Sequence, residues 1–414
     1  MSIDQETLAQ RLREAREAAG LTQEDVARDL GLPRTAVVQL EAGKRVVSSL
    51  ELLRLAKLFD RRIDSFFEEA ALPQSEKTPL GVLFRAAAGA ADDPETHASL
   101  AGTIELCRVA AQLDALLGRK ARFLPPTYSV PPPSRKLEAV EQASQVADAE
   151  RKRLELGDAP IAHMADLLSA QDLWAAAAPF PDDVSGVFLN DSELGMLILV
   201  NQDHFRSRQR FSYAHEYAHA LMDRERPITV SRFDNRQDLA EVRANAFAAA
   251  FLMPARGVET LLRHLNKGTP SRTYASVYDL ATEAQQSPAI QAEERAVPGS
   301  QKITYKEVAV LAQHFGVSYL AAAYRIRNLD WVNQAECEAL VAQEELGREY
   351  LSLLNLTDYD TRDPQPDREL RNQITYRAIE AYRREEISRG RLLELSKLLG
   401  LAGPKLLRLA AETI

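Results

Sequence analysis

The amino-acid sequence predicts a mainly α multidomain protein: an N-terminal five-helix bundle, an α+β domain with a small sheet, and a helical C-terminal region. Three observations predict it. Helix-period apolar stripes, closely punctuated by Gly and Pro, run from Thr7 to Phe67. Two short apolar runs, at 184–189 and 195–200, read as strands placed ahead of a helix. Beyond residue 330 the pattern is again helical. At 414 residues the chain exceeds one small core, and 45% hydrophobic with 27% charged residues is a globular composition. The expected partition is 1-70, a helical and Pro-rich connector 71-150, the α+β domain 151-330, and a helical region 331-414.

Composition excludes several classes. Cys107 and Cys337 are the only cysteines, far apart and with no CxxC spacing, so a reducing, cytoplasmic location is expected. The first residues are polar and acidic, unlike a secretory signal. No apolar run reaches transmembrane length, so no membrane partner is expected. A net charge of -9 argues against a generally basic nucleic-acid coat and leaves room for a local binding face.

In the N-terminal domain Leu8, Leu12 and Ala15 mark a first helix that stops at Gly20. Thr22 then N-caps a second helix, with Asp25 at its third position, and Val26, Ala27 and Leu30 on the buried side. Gly31 turns the chain and Pro33 opens a short third helix. Residues 49–59 make a fourth, and 63–67 close the bundle. The stretch from Leu21 to Arg45 resembles the Cro/C1-type helix-turn-helix of phage repressors, on Thr22-Gln23, the Gly31 turn and Gln39-Leu40-Glu41-Ala42-Gly43. The resemblance implies double-stranded operator DNA as a partner. It puts Arg34, Thr35 and Gln39 where base edges are read, and Gln23, Lys44 and Arg45 near phosphates. Residues 1–62 carry 11 Lys/Arg against 10 Asp/Glu, a net +1, so nonspecific affinity alone is weak. A homodimer would add the second contact that one small module lacks.

The connector holds a helical stripe of Leu106, Val109, Leu113 and Leu116, then Pro125-Pro126 and Pro131-Pro132-Pro133, which impose an extended stretch. It is either a linker or a strap across the next domain. A charged helix follows over 137–156, and a short one over 161–168.

His215-Glu216-Tyr217-Ala218-His219 carries the chemistry. Its flanks contain no Pro or Gly, so a helix over 207–222 brings His215 and His219 onto one face, within reach of one metal ion. A catalytic zinc site commonly takes a third protein ligand and leaves one position open. Glu241 is the candidate, because it opens an Ala-rich helix over 241–253, and a buried carboxylate there is costly unless paired with metal. Asp238 is the alternative on the same segment. Glu216 lies beside the ligands and suits a general base. Tyr213 and Tyr217 are candidates for stabilising developing charge, with packing as the plain alternative. Asn245, one turn beyond Glu241, is placed to orient a ligand. His163, His204, His264 and His314 lack comparable spacing.

The stretch from Arg151 to Arg327 resembles the ImmA/IrrE metallopeptidases, most strongly over 208–219 and 241–254. Tyr217 stands where a small or aliphatic residue is commoner in that family. The resemblance implies a zincin-like domain, Glu241 as third ligand, Zn²⁺ as cofactor with Mn²⁺ as the cellular alternative, and a repressor or other regulatory protein as substrate. It also implies that 301–329 packs on the catalytic domain, although Arg325 and Arg327 give that segment the look of a second helix-turn-helix. Residues 281–300 read as a surface loop. The region 331–414 buttresses, dimerises or contacts a partner. The expected function is a zinc endopeptidase coupled to DNA binding, in transcriptional stress or defence control. The rivals are a regulator whose peptidase-like domain senses without cutting, and a scaffold with structural zinc.

Overall fold

Alternation along the strands divides the interior into two cores. In β3 (Gly195–Asn201), Met196, Ile198 and Val200 face one core while Leu197 and Leu199 face the other. β1 (Trp174–Ala178) and β2 (Val184–Asp191) divide in the same way, with Ala175, Ala177 and Phe188 on the first face and Trp174, Ala176, Val187 and Leu189 on the second. A strand with both faces apolar must be covered on both sides. The computed structural model describes residues 5–59, 66, 81–83, 85, 94–119, 124–191, 194–268, 273–277, 290–294, 297, 299–356 and 367–412. Its four-stranded sheet has the order β1-β3-β2-β4, with β4 at Ile228–Arg232, β1 parallel to β3, and the other pairs antiparallel.

The first face carries the Arg206–Met222 helix and, across it, the Leu239–Leu252 helix. Ala244 and Ala248 are almost fully buried there, and small side chains allow the two helices to approach closely. The end of the Leu239–Leu252 helix leaves carbonyls that need donors. Arg325 Nε donates to Met253 O at 2.9 Å, and Arg151 Nη1 to Phe251 O at 2.5 Å. Arg325 therefore packs against the α+β domain rather than facing DNA. Behind the Arg206–Met222 helix, Tyr217 and Tyr128 both donate to the fully buried Glu150, which also takes hydrogen bonds from Arg153.

The second face is covered by the Pro94–Leu116 helix and by three C-terminal helices, Arg368–Arg383, Arg389–Leu398 and Gly403–Ala411. The connector is thus part of a core layer and not a spacer. Its proline stretch is a strap on the α+β domain, since Tyr128 N donates to Leu221 O at 2.8 Å and Arg224 Nη2 to Pro125 O at 2.8 Å. The C-terminal region buttresses the sheet.

Two strands of the four-stranded sheet lay outside the sequence expectation. Trp174–Ala178 is a Trp followed by four alanines, a helix-prone composition that tertiary burial overrides. Ile228–Arg232 is β-branched and became an edge strand. Residues 290–294, expected within a loop, form a strand paired with 273–277.

The N-terminal bundle has helices at Gln5–Ala18, Gln23–Leu30, Arg34–Glu41 and Ser49–Leu58. Thr22 caps the second in a capping box with Asp25, and Gly31 turns at φ 68°. The expected closing helix over 63–67 lies outside the described residues except for Phe66, which is buried in the bundle core. Arg16 pairs bidentately with Glu41 at 2.6 and 3.1 Å, tying the first helix to the third. The bundle rests against the Arg389–Leu398 helix, where Lys397 Nζ donates to Glu17 O at 3.0 Å.

A chain ended after residue 356 uncovers Leu197, Leu199 and Trp174. We expect it to bind the dye ANS strongly and to lose its cooperative thermal transition. A truncated protein that melts like the full chain contradicts this account of the second face.

Candidate metal centre

The Arg206–Met222 helix places His215 and His219 one turn apart, and the Leu239–Leu252 helix brings Glu241 across to them. His215 Nε2 lies 3.0 Å from Glu241 Oε2, His219 Nε2 lies 3.3 Å from His215 Nε2, and Glu241 Oε1 is 3.5 Å from His219 Nε2. Bonds of about 2.0–2.1 Å at a tetrahedral angle put ligand atoms about 3.3 Å apart, the spacing a zinc ion requires. Asp238 instead stands exposed at the helix N-cap.

The opposite edge of each imidazole decides which nitrogen is free. His215 Nδ1 meets Asn245 Oδ1 at 3.0 Å, and His219 Nδ1 meets Asp223 Oδ2 at 2.9 Å. Both oxygens can only accept, so each Nδ1 carries a proton and each Nε2 presents its lone pair inward. Two lone pairs and a carboxylate at this spacing repel unless a cation lies among them. The three residues therefore fit a metal ion. Without one, a proton serves: burial disfavours a charged His219, but Asp223 and Glu241 outweigh it and push its pKa up to about 10. Burial opposes ionisation of Glu241 too, yet the His215 and His219 imidazoles, which share a proton with it when no metal is bound, bring it down to about 2.

Asp223 was not singled out in the sequence, although it lies one turn beyond His219. Its second oxygen, Oδ1, takes a hydrogen bond from Arg243 Nη2 at 2.7 Å, and Arg243 is two residues from Glu241. One ion pair, almost closed to solvent, thus joins the two helices that supply the ligands.

Glu216 is fully buried beside the cluster, and neither of its oxygens has a well-formed hydrogen bond among the described residues. Burial raises its pKa, against the pull of His215, His219 and the neighbouring Ser231 hydroxyl. Gly186 on β2 makes room for it, because a Cβ there would meet Glu216 Oε1 at 2.7 Å and Cγ at 2.9 Å. A Gly inside a strand pattern signals such a close approach, a cue present in the sequence and unused. Tyr217 points away, to Glu150, and Tyr213 lies in the same core. Correcting the sequence expectation, Tyr217 packs and does not reach developing charge, since the helix turns 213 and 217 to the side opposite the histidines.

The cluster opens into a cleft of about 420 Å³. Asp183, Arg208, Phe211, Arg232, Phe233 and Arg236 line it with mixed charge and two aromatic rings. In the N-terminal domain Arg34, Thr35, Gln39 and Lys44 are exposed. Gln23 instead donates to Glu41 at 2.9 Å, and Arg45 pairs with Glu51 at 2.6 Å.

Since the metal-free His219 keeps its proton at neutral pH, metal binding must displace it. At pH 7.5 we expect release of about one proton per ion bound and an affinity that rises with pH until about pH 10. Calorimetry in buffers of different ionisation enthalpy measures it; binding without proton release contradicts the charge state. Asp223→Asn, which leaves His219 without its carboxylate, should weaken metal binding about 10- to 100-fold.

Comparison with known proteins places these features. The model of the IrrE N-terminal-like domain matches residues 169–285, and the model of the helix-turn-helix matches residues 12–66. An uncharacterized HTH-type transcriptional regulator of Archaeoglobus fulgidus is 39% identical over 57 residues, which is 14% of this chain and 81% of that protein. The crystal structure of ComR from Streptococcus suis aligns over 100% of this chain and 97% of that chain, at 10% identity and a TM-score of 0.16, too distant to bear on the fold. The chain thus belongs to the helix-turn-helix regulators, and carries an ImmA/IrrE-like peptidase domain behind its DNA-binding domain.

Proposed function

We propose that the protein is a zinc-dependent endopeptidase coupled to DNA binding, which cuts a regulatory protein such as a repressor. The observation that carries this is Glu216: a carboxylate fully buried, without a well-formed partner, beside three converging ligand atoms, of whose residues His215 and Glu241 line a cleft. Burying such a group unpaired is costly. A structural metal site gives it no use; a hydrolytic one does.

A zinc ion held by His215, His219 and Glu241 supplies Lewis acidity and makes water more acidic. Glu216, positioned by Gly186, takes the proton from the attacking water and returns it to the leaving amine nitrogen. Asn245 and Asp223 hold the two imidazoles in the required tautomer. The buried floor excludes bulk solvent, while the mixed charge of the cleft suits a polypeptide better than a small apolar ligand.

The N-terminal domain binds double-stranded DNA in this reading, with Arg34, Thr35 and Gln39 on the base-reading face and Lys44 at the backbone. Gln23 and Arg45 first hold that face together from within. The DNA-binding domain delivers the peptidase to promoter-bound regulators or controls the protein's own operon.

Glu216→Gln and Gly186→Ala should each keep full metal content and lower cleavage of repressors from neighbouring genes by about 100-fold or more. Wild-type cleavage by Glu216→Gln overturns the peptidase reading in favour of a sensor. Replacing both Arg34 and Gln39 by Ala should weaken operator binding by about 2–6 kcal/mol, measured against nonspecific DNA at the same salt. Unchanged operator affinity removes the proposed reading face.

A further inference from the structure

β4 is an edge strand of the sheet, and its outer edge lies beside the cleft. Along an antiparallel strand, backbone groups point alternately toward and away from the neighbour. Asn190 N donates to Pro227 O and Phe233 N to Asp183 O, so odd-numbered residues face β2. Val230 and Arg232 consequently turn their backbone outward. That edge is filled by one side chain: Asn235 Nδ2 donates to Val230 O at 2.8 Å, and Arg232 N donates to Asn235 Oδ1 at 2.9 Å. A carboxamide offers one donor and one acceptor, and here it makes the two bonds that the N–H and C=O of a single residue in an added parallel strand would make.

We propose that Asn235 is the built-in occupant of this edge in the free protein, holding Val230 O and Arg232 N until an extended segment of polypeptide displaces it. The inference rests on the peptidase reading and deepens it, naming the side chain that an incoming backbone must replace. Ser231, between the two residues, lines the same cleft as His215 and Glu241, so a segment paired there runs past the metal centre. The segment bearing Asn235 is lightly held. Phe233 is 60% exposed with the Arg236 guanidinium stacked on its ring at 3.8 Å, and Lys136 reaches Gln237 at 2.7 Å in solvent. Exposed contacts of this kind contribute little. Exchanging two hydrogen bonds to Asn235 for two to a peptide conserves their number, so the occupant leaves at small cost.

Plain edge protection is the competing role for Asn235, and it makes a different prediction. The test uses full-length, metal-loaded protein and two probes: acetohydroxamate, which reaches only the metal, and a tripeptide hydroxamate, whose backbone also reaches the strand. Asn235→Ala should bind the tripeptide about fivefold more tightly, because the competing occupant is gone, with acetohydroxamate affinity unchanged. N-methylation of the tripeptide's internal amides should abolish the gain. In the wild-type protein the Asn235 side-chain amide resonance should shift with the tripeptide and not with acetohydroxamate. Equal tripeptide affinity in both proteins, a gain that survives N-methylation, or an unmoved resonance overturns the proposal. Failure of acetohydroxamate to bind would instead overturn the metal reading beneath it.

Discussion

Three electron pairs held within bonding distance of a single point are the constraint on which this structure depends. With their electron pairs turned inward, His215, His219 and Glu241 repel one another unless a cation, a metal ion or a proton, lies among them. The protein imposes the meeting from behind, through Asn245 and Asp223 on the outer imidazole nitrogens. Because Glu241 comes from a different helix, the two helices must also be locked in register. Arg243 bridges to Asp223, Ala244 and Ala248 let the helices close, and Arg151 and Arg325 cap the far end. On the other side, Glu150 gathers Tyr128, Arg153 and Tyr217. A buried carboxylate with that many donors is satisfied, whereas Glu216 is not, and the contrast sets Glu216 apart as the carboxylate that the proposed chemistry would use.

The sheet connects this centre to the rest of the chain. One face backs the ligand helices; the other is sealed by the Pro94–Leu116 helix and the C-terminal helices, against which the DNA-binding bundle leans. The bundle therefore meets the peptidase-like domain through the C-terminal helices, so that region is a structural intermediary between the two domains. Its charged contacts, Arg377 with Asp114 at 2.8 Å and Arg119 with Glu380, cross from C-terminal to connector residues.

What could be read in the sequence was whatever local spacing dictates. Two histidines four apart on an unbroken helix must share a face, and Thr22 with Asp25 must cap. Glu241 was legible because a Glu opening an Ala-rich apolar helix is anomalous unless it has a partner. What escaped was set by partners distant in sequence. Trp174–Ala178 carries no strand signal of its own, and burial on both faces makes it a strand. Tyr217 stood beside the motif, yet its direction depended on Glu150, 67 residues away. The connector could be read as a linker or as a strap, because the counterpart of its apolar stripe, the back of the sheet, lies far along the chain.

The central claim is a metal ion held by two imidazoles and one carboxylate. X-ray absorption at the zinc edge of metal-loaded protein tests it most directly. The account predicts imidazole nitrogen from two histidines with oxygen, all at about 2.0–2.2 Å, and no sulfur. A sulfur scatterer near 2.3 Å, or the signature of fewer than two imidazoles, would contradict it.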